Sequence, residues 1–211
     1  MSVVNHLPED ADTLSGTPSP RPSTDARSRR NFRSFMVIWA AQLVARVGNG
    51  LTAFGLGVYV YQQSGLSTAV SLVTLAAFLP SLLLAPFGGV LADRYDRRLL
   101  MILGDTFSAI GLLAMIVAFH TDFASVPVIC ACVTLSSVFS SVMDPAYRAT
   151  VTDLLTPEQY ARAGGLVQLA SASQYLISPA IAGLLMASSG ITTVLMIDIA
   201  TMVLTVVCML L

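Results

Sequence analysis

The chain has 211 residues, 55% of them hydrophobic and only 11% charged, with a mean hydropathy of +0.76. That is more apolar surface than a soluble domain of this length hides in one core, so lipid is the expected solvent for most of it. A formal net charge of −1 gives no basic or acidic excess that would direct the chain to nucleic acid.

Residues 1–34, opening "MSVVNHLPEDADTLSGTPSPRPSTDARSRR", are rich in Pro, Ser, Thr and Asp and poor in large apolar residues. They are expected to form a disordered cytoplasmic tail. The tail lacks the short apolar core of a secretory signal, and its arginines Arg27, Arg29, Arg30 and Arg33 stand where anionic headgroups attract them. Residues 35–211 are expected to be a six-helix transmembrane domain, an all-α membrane fold. Its apolar runs fall at about 35–61, 69–91, 99–119, 126–143, 165–187 and 192–211, each long enough to cross about 30 Å of hydrocarbon.

In the first span, Gln42, Arg46 and Asn49 follow an i, i+4, i+7 stripe. Arg46 lies roughly 16 Å along a helix that rises about 1.5 Å per residue, close to mid-bilayer. A charge there costs about 2.5–3.5 kcal/mol on insertion scales, so it should face the bundle interior and find a partner. Of the acids Asp105, Asp144 and Asp198, depth favours Asp198, with Asp144 read as too near the cytoplasmic surface. The alternative is an Arg46 wetted by a cavity and touching substrate directly.

Between the second and third runs, "GGVLADRYDRRLL" packs five charged residues into the six positions from Asp93 to Arg98. Further on, Ser137, Ser141 and Asp144 form a stripe in the fourth run, and Ser171, Gln174 and Ser178 one in the fifth. Cys130, Cys132 and Cys208 all fall within spans, and the first two, two residues apart, face different ways on a helix. They read as packing residues. No metal-ligand set, nucleophile triad or phosphate loop is present, "GNG" at 48–50 being inside a span, so no enzyme chemistry, metal or cofactor is expected.

Arginine placement sets the expected orientation. There is no lysine, and the arginines gather in the tail, in the second inter-helix segment (Arg94, Arg97, Arg98) and in the fourth (Arg148, Arg162). By the positive-inside bias those segments and both termini are cytoplasmic. Trp39, Tyr59 and Tyr61 are placed as interfacial anchors of the first span.

The segment "GVLADRYDRR" resembles the loop between the second and third helices of major facilitator superfamily transporters, roughly G-x-L-x-D-R-x-G-R-[RK]. Gly89, Leu91, Asp93, Arg94, Arg97 and Arg98 match, while Asp96 stands where the family usually has glycine. "WAAQLVARVGNGLTAFGLGVYVYQQSG" and "DPAYRATVTDLLTPEQYARAGGL" look like the macrolide-efflux type of branch among drug and siderophore exporters. "SPAIAG" resembles a degraded G-P-x-x-G-G antiporter signature, in which Pro179 and Gly183 match and Ser178 replaces a glycine.

The resemblance implies half of a major facilitator fold: six transmembrane helices as two inverted three-helix repeats. It implies a latch in which Gly89 permits close helix approach and Asp93 holds the cytoplasmic side closed against another half. It also implies that Arg97 pairs with an acid at the inner end of the fourth helix, the place read for Asp144. The expected activity is proton-driven export of an amphipathic small molecule from the cell membrane by alternating access. The chain ends in an apolar run and is expected to be an N-terminal half, partnered by a C-terminal six-helix half. The rivals are a homodimer of second copies and an inactive membrane scaffold.

Overall fold

The computed structural model describes residues 22–121, 123–155 and 157–210 and has eight helices and no strand among them. They are α1 (Pro22–Ser64), α2 (Ser67–Arg94), α3 (Arg97–His120), α4 (Val126–Ser140), α5 (Met143–Leu154), α6 (Pro157–Leu176), α7 (Ser178–Ser188) and α8 (Ile191–Leu210). Six segments are long and apolar enough to cross a membrane: α1 from Asn31, α2, α3, α4 with α5, α6 with α7, and α8. The expected six spans are therefore present. Within the expected tail, residues 22–34 are helical as the N-terminal extension of α1, and residues 1–21 lie outside the described residues. Pro22 suits a first helical position, and Phe35 anchors the extension in the core.

Two of the spans are broken, and proline explains each break. Pro145 has no N–H for the Ser141 carbonyl four residues back, and the chain turns at residues 141 and 142 before α5 begins. Pro179, which has no N–H for the Tyr175 carbonyl four residues back, does the same two residues after the α6–α7 break at Ile177. In α2, Pro80 and Pro86 leave the helix continuous. The carbonyl freed by Pro80, that of Ala76, instead accepts a hydrogen bond from Thr134 Oγ1 of α4 at 3.4 Å. This is how a polar backbone group is satisfied where water is absent.

Packing follows an inverted two-fold pattern. The first span packs on the fifth and sixth, the fourth packs on the second and third, and the third and sixth meet each other. Exchanging spans 1, 2, 3 for 4, 5, 6 maps this contact set onto itself, as two inverted three-helix units require. Small residues make the seams: a Cβ on Gly111 would lie 2.9 Å from the Cys132 carbonyl, and one on Gly104 2.6 Å from Met143 Cγ.

Along the helices the core comes in two apolar layers. One gathers Leu51, Leu56, Val73, Leu112, Met115, Val194 and Leu195. The other, toward the α2–α3 turn, gathers Phe35, Ala92, Met101, Ala146, Tyr147 and Met209. Between them in sequence sit polar residues, Gln42, Arg46 and Asn49 on α1, Asp105 and Ser108 on α3, and Ser136 to Asp144 across α4 and α5, while Asp198 on α8 falls between Leu195 and Met202 of the first layer.

Candidate functional site

That polar layer opens into a half-open cleft of about 750 Å³. Its walls come from α1, α2 and the α4–α5 span, with Leu112 and Met115 of α3, Gln174 of α6 and Asp198 of α8 also lining it. The stripe expected on the first span, Gln42, Arg46 and Asn49, does line it, together with Ser137, Ser141 and Asp144. Apolar side chains, among them Phe78, Leu82 and Leu56, supply the rest of the wall.

Arg46 is paired, but with Asp144: its Nη2 donates to Asp144 Oδ1 at 2.6 Å. The expected pairing with Asp198 is not formed. The reason is the length of the fourth span, which does not stop at Met143 but resumes after the proline break and runs to Leu154. Asp144 is thereby carried ten residues from the inner end, roughly 15 Å in, to the depth of Arg46. Arg46 is mostly buried, with 13% of its side chain exposed, whereas Asp144 at 60% faces the open cleft. Arg148 also lies on α5 and lines the cleft, not the inter-helix segment expected for it. Gln42 Nε2, Arg46 Nε and the Tyr147 hydroxyl are buried without a partner among the described residues.

Asp198 sits elsewhere in the layer. Its Oδ2 accepts from Thr52 Oγ1 at 2.6 Å, and the neighbouring Thr201 hydroxyl donates to the Asp198 carbonyl at 2.7 Å. Gly48 makes this approach of α1 to α8 feasible, since any Cβ there would collide with Thr201 and lie 2.7 Å from Asp198 Oδ1. Gly50 does the same toward the α6–α7 break, where a Cβ would run into Ser178 and the Gln174 carbonyl. The "GNG" motif is thus a double contact point, with Asn49 left to the cleft.

At the other end of the spans, a second crevice is lined by the start of α1, the α2–α3 turn, the end of α5 and the end of α8. Arg97 ties the α2–α3 turn to α5, donating to the carbonyls of Ala92 at 3.3 Å and Ala149 at 2.7 Å and forming an ion pair with Asp153. Asp153, not Asp144, is the acid at the inner end of the fourth span; sequence reading missed it because that span was ended too early. Asp93, Arg94 and Arg98 are exposed, and Asp93 makes no hydrogen bond or ion pair with another described residue. Asp96 caps α3, its Oδ1 accepting from the N–H groups of Arg98 at 2.8 Å and Leu99 at 3.2 Å.

Gly89 does not mediate helix approach within this chain, for a Cβ there meets nothing within 4 Å. Gly88 does: its Cβ would lie 3.1 Å from both Pro145 Cγ and the Ser141 carbonyl at the α4–α5 break. In "SPAIAG", Ser178 Oγ donates to the Val47 carbonyl at 2.9 Å, Pro179 opens α7, and Gly183 faces open space. Trp39 hydrogen-bonds the Leu166 carbonyl at 2.7 Å, and Tyr59 stacks edge-on to Phe119 at 4.7 Å, so both join helices as well as lying near span ends. The three cysteines are free thiols, and no metal-binding group of His, Cys, Asp or Glu exists among the described residues.

Comparison with known proteins places this geometry. The family model described as Major Facilitator Superfamily matches residues 38–211. The chain is 32% identical over 167 residues to macrolide efflux protein A of Streptococcus pyogenes, covering 78% of this chain and 41% of that protein. It is 34% identical over 135 residues to macrolide efflux protein A of Enterococcus faecalis, covering 63% and 41%. It is 30% identical over 165 residues to the multidrug efflux pump Tap of Mycolicibacterium fortuitum, covering 74% and 39%. The chain spans about two fifths of the length of these relatives.

Proposed function

Because the chain belongs to the major facilitator superfamily, a family of transporters and not of enzymes, we propose that it exports an amphipathic small molecule by alternating access, driven by proton entry. It is a multi-pass membrane protein; the cell membrane with both termini cytoplasmic is the proposed setting, on the strength of the arginine distribution. The observation that carries the reading is the cleft: apolar walls for a greasy body and one ion pair, Arg46–Asp144, for a polar head. The relatives named for macrolide and multidrug efflux support a substrate of that class.

A second six-helix unit completes this proposal, as a C-terminal half or a second copy. The cleft is open along one side, and α2 beside it buries little beyond Val73, Gly88 and Ala92. Asp93, exposed at the end of α2, and Gly89, one turn earlier with open space beside it, are proposed to meet that partner, with Asp93 facing the positive N-terminal end of one of its helices. Arg97, held by Asp153, keeps the turn rigid for the contact.

The test is accumulation of a radiolabelled macrolide in cells expressing the protein, with and without a protonophore. Lower accumulation than in control cells, reversed by the protonophore, is expected. Control-level accumulation at normal membrane abundance would overturn export, and reduced accumulation that ignores the protonophore would overturn the proton drive.

A further inference from the structure

Asp105 and Asp198 stand apart from the ion pair in the cleft. They lie on α3 and α8, which pack on each other, and are 3% and 1% exposed. One oxygen of each, Asp105 Oδ2 and Asp198 Oδ1, is buried with no hydrogen-bond partner among the described residues. Both carboxyls are thus buried on helices in direct contact. Thr52 Oγ1, reaching from α1, donates to Asp198 Oδ2.

No cation is available to them from the packed helices. Arg46 of α1 is spent on Asp144, and Arg97 at the start of α3 on Asp153. Arg98 is exposed at the α3 terminus, and Arg148 of α5 lines the cleft. The remaining titratable side chains on these elements are Asp25, Arg27, Arg29, Arg30, Arg33, Tyr59 and Tyr61 toward the two ends of α1, Asp93 and Arg94 at the end of α2, His120 at the end of α3, Tyr147 on α5, Cys130 and Cys132 on α4, and Cys208 on α8; α7 has none.

The two acids are also equivalents in the inverted repeat. Asp105 follows the start of α3 at Arg97 by eight residues, and Asp198 follows the start of α8 at Ile191 by seven. Each is followed three residues on by a hydroxyl, Ser108 or Thr201. Spans three and six exchange under the pseudo-two-fold, so each acid lies on the helix by which its unit packs on the other. Ion sites of repeat-built transporters form at such a junction, near mid-membrane.

Two ionised carboxylates this deeply buried with no counter-charge are costly, and two like charges in one low-dielectric interface do not both stay ionised. We propose that Asp105 and Asp198 form a proton-carrying site, the pair holding one proton between them. Asp198 lines the cleft and Asp105 does not, so the proton leaves through Asp198: its O–H bond breaks, water in the cleft accepts the proton, and the pair is left with one more negative charge. This deepens the antiport reading and rests on it only for the use made of the proton. Holding the proton is a property of the chain itself.

The test is infrared difference spectroscopy of the purified chain in lipid nanodiscs at neutral pH. A protonated-carboxyl carbonyl band is expected, lost in the Asp105→Asn, Asp198→Asn double variant. Thr52→Val, which leaves both acids in place, should move the band to higher wavenumber, because a carbonyl that loses a hydrogen bond is stiffer. Absence of the band in the wild-type chain, or its persistence unchanged in the double variant, would overturn the proposal. Loss of the band on adding sodium chloride but not choline chloride also overturns it, in favour of a bound metal cation. Because the readout needs no transport, protonophore-insensitive export with the band intact would count against the antiport alone.

Discussion

A buried guanidinium chooses its partner by depth, and depth depends on where a helix ends. Arg46 and Asp144 are expected to behave as one unit. Neutralising both, as Arg46→Gln with Asp144→Asn, should cost less than the sum of the single changes, with a coupling of about 1 kcal/mol in thermal unfolding of the detergent-solubilised protein. The size is modest because Asp144 faces the open cleft. Arg46→Gln with Asp198→Asn should be additive, and a coupling there as large as with Asp144 would contradict the assignment. The stripe on the first span was readable from spacing alone. Its partner was not, because "DPAYRATVTDLL" looks like a polar loop until Pro145 is seen to break a helix that then continues. The same misjudged end hid Asp153 from Arg97.

Single helices show how a motif residue differs from its neighbour in what it does. At the end of α2, Gly88→Leu should push against Pro145 and the Ser141 carbonyl and destabilise by about 1–3 kcal/mol. Gly89→Leu should leave the stability of this unit within about 0.5 kcal/mol, while still impairing transport if a partner docks there. Equal loss of thermal stability from both changes would remove the distinction. At the start of α3, Asp96→Ala should cost about 1 kcal/mol, and Asp96→Gly only a few tenths, because glycine itself serves as an N-cap. That gives a physical account of an acid standing where the family pattern has glycine: either residue starts this helix. Sequence alone registered the departure but not the cap, since a cap is visible only once the first helical residue is fixed.

For the molecule as a whole, the membrane-impermeant labelling pattern is the direct check on orientation. Cysteines placed at Ser64 and Ser125 should react from outside intact cells, and one placed at Tyr95 should react only after permeabilisation; the reverse would invert the topology. The six spans were legible because lipid imposes a length and an apolar composition on every one of them. The inverted two-fold was legible only faintly, since the two units share packing relations more than residues. Asp105 and Asp198 illustrate this: their equivalence emerges from which helices touch, and from there is traced back to the sequence.

The packing of the first span also sets a timetable. Its chief neighbours are the fifth and sixth spans, and Thr52 is separated from Asp198 by 146 residues. At a synthesis rate of about 5–20 residues per second, α1 waits on the order of ten to thirty seconds before α8 exists to receive it. Throughout that interval Gln42, Arg46 and Asn49 have no native cover from that side. The nascent first span therefore needs shelter in the insertion machinery or in water at the bilayer edge, and it commits to its final place only when the last helix arrives.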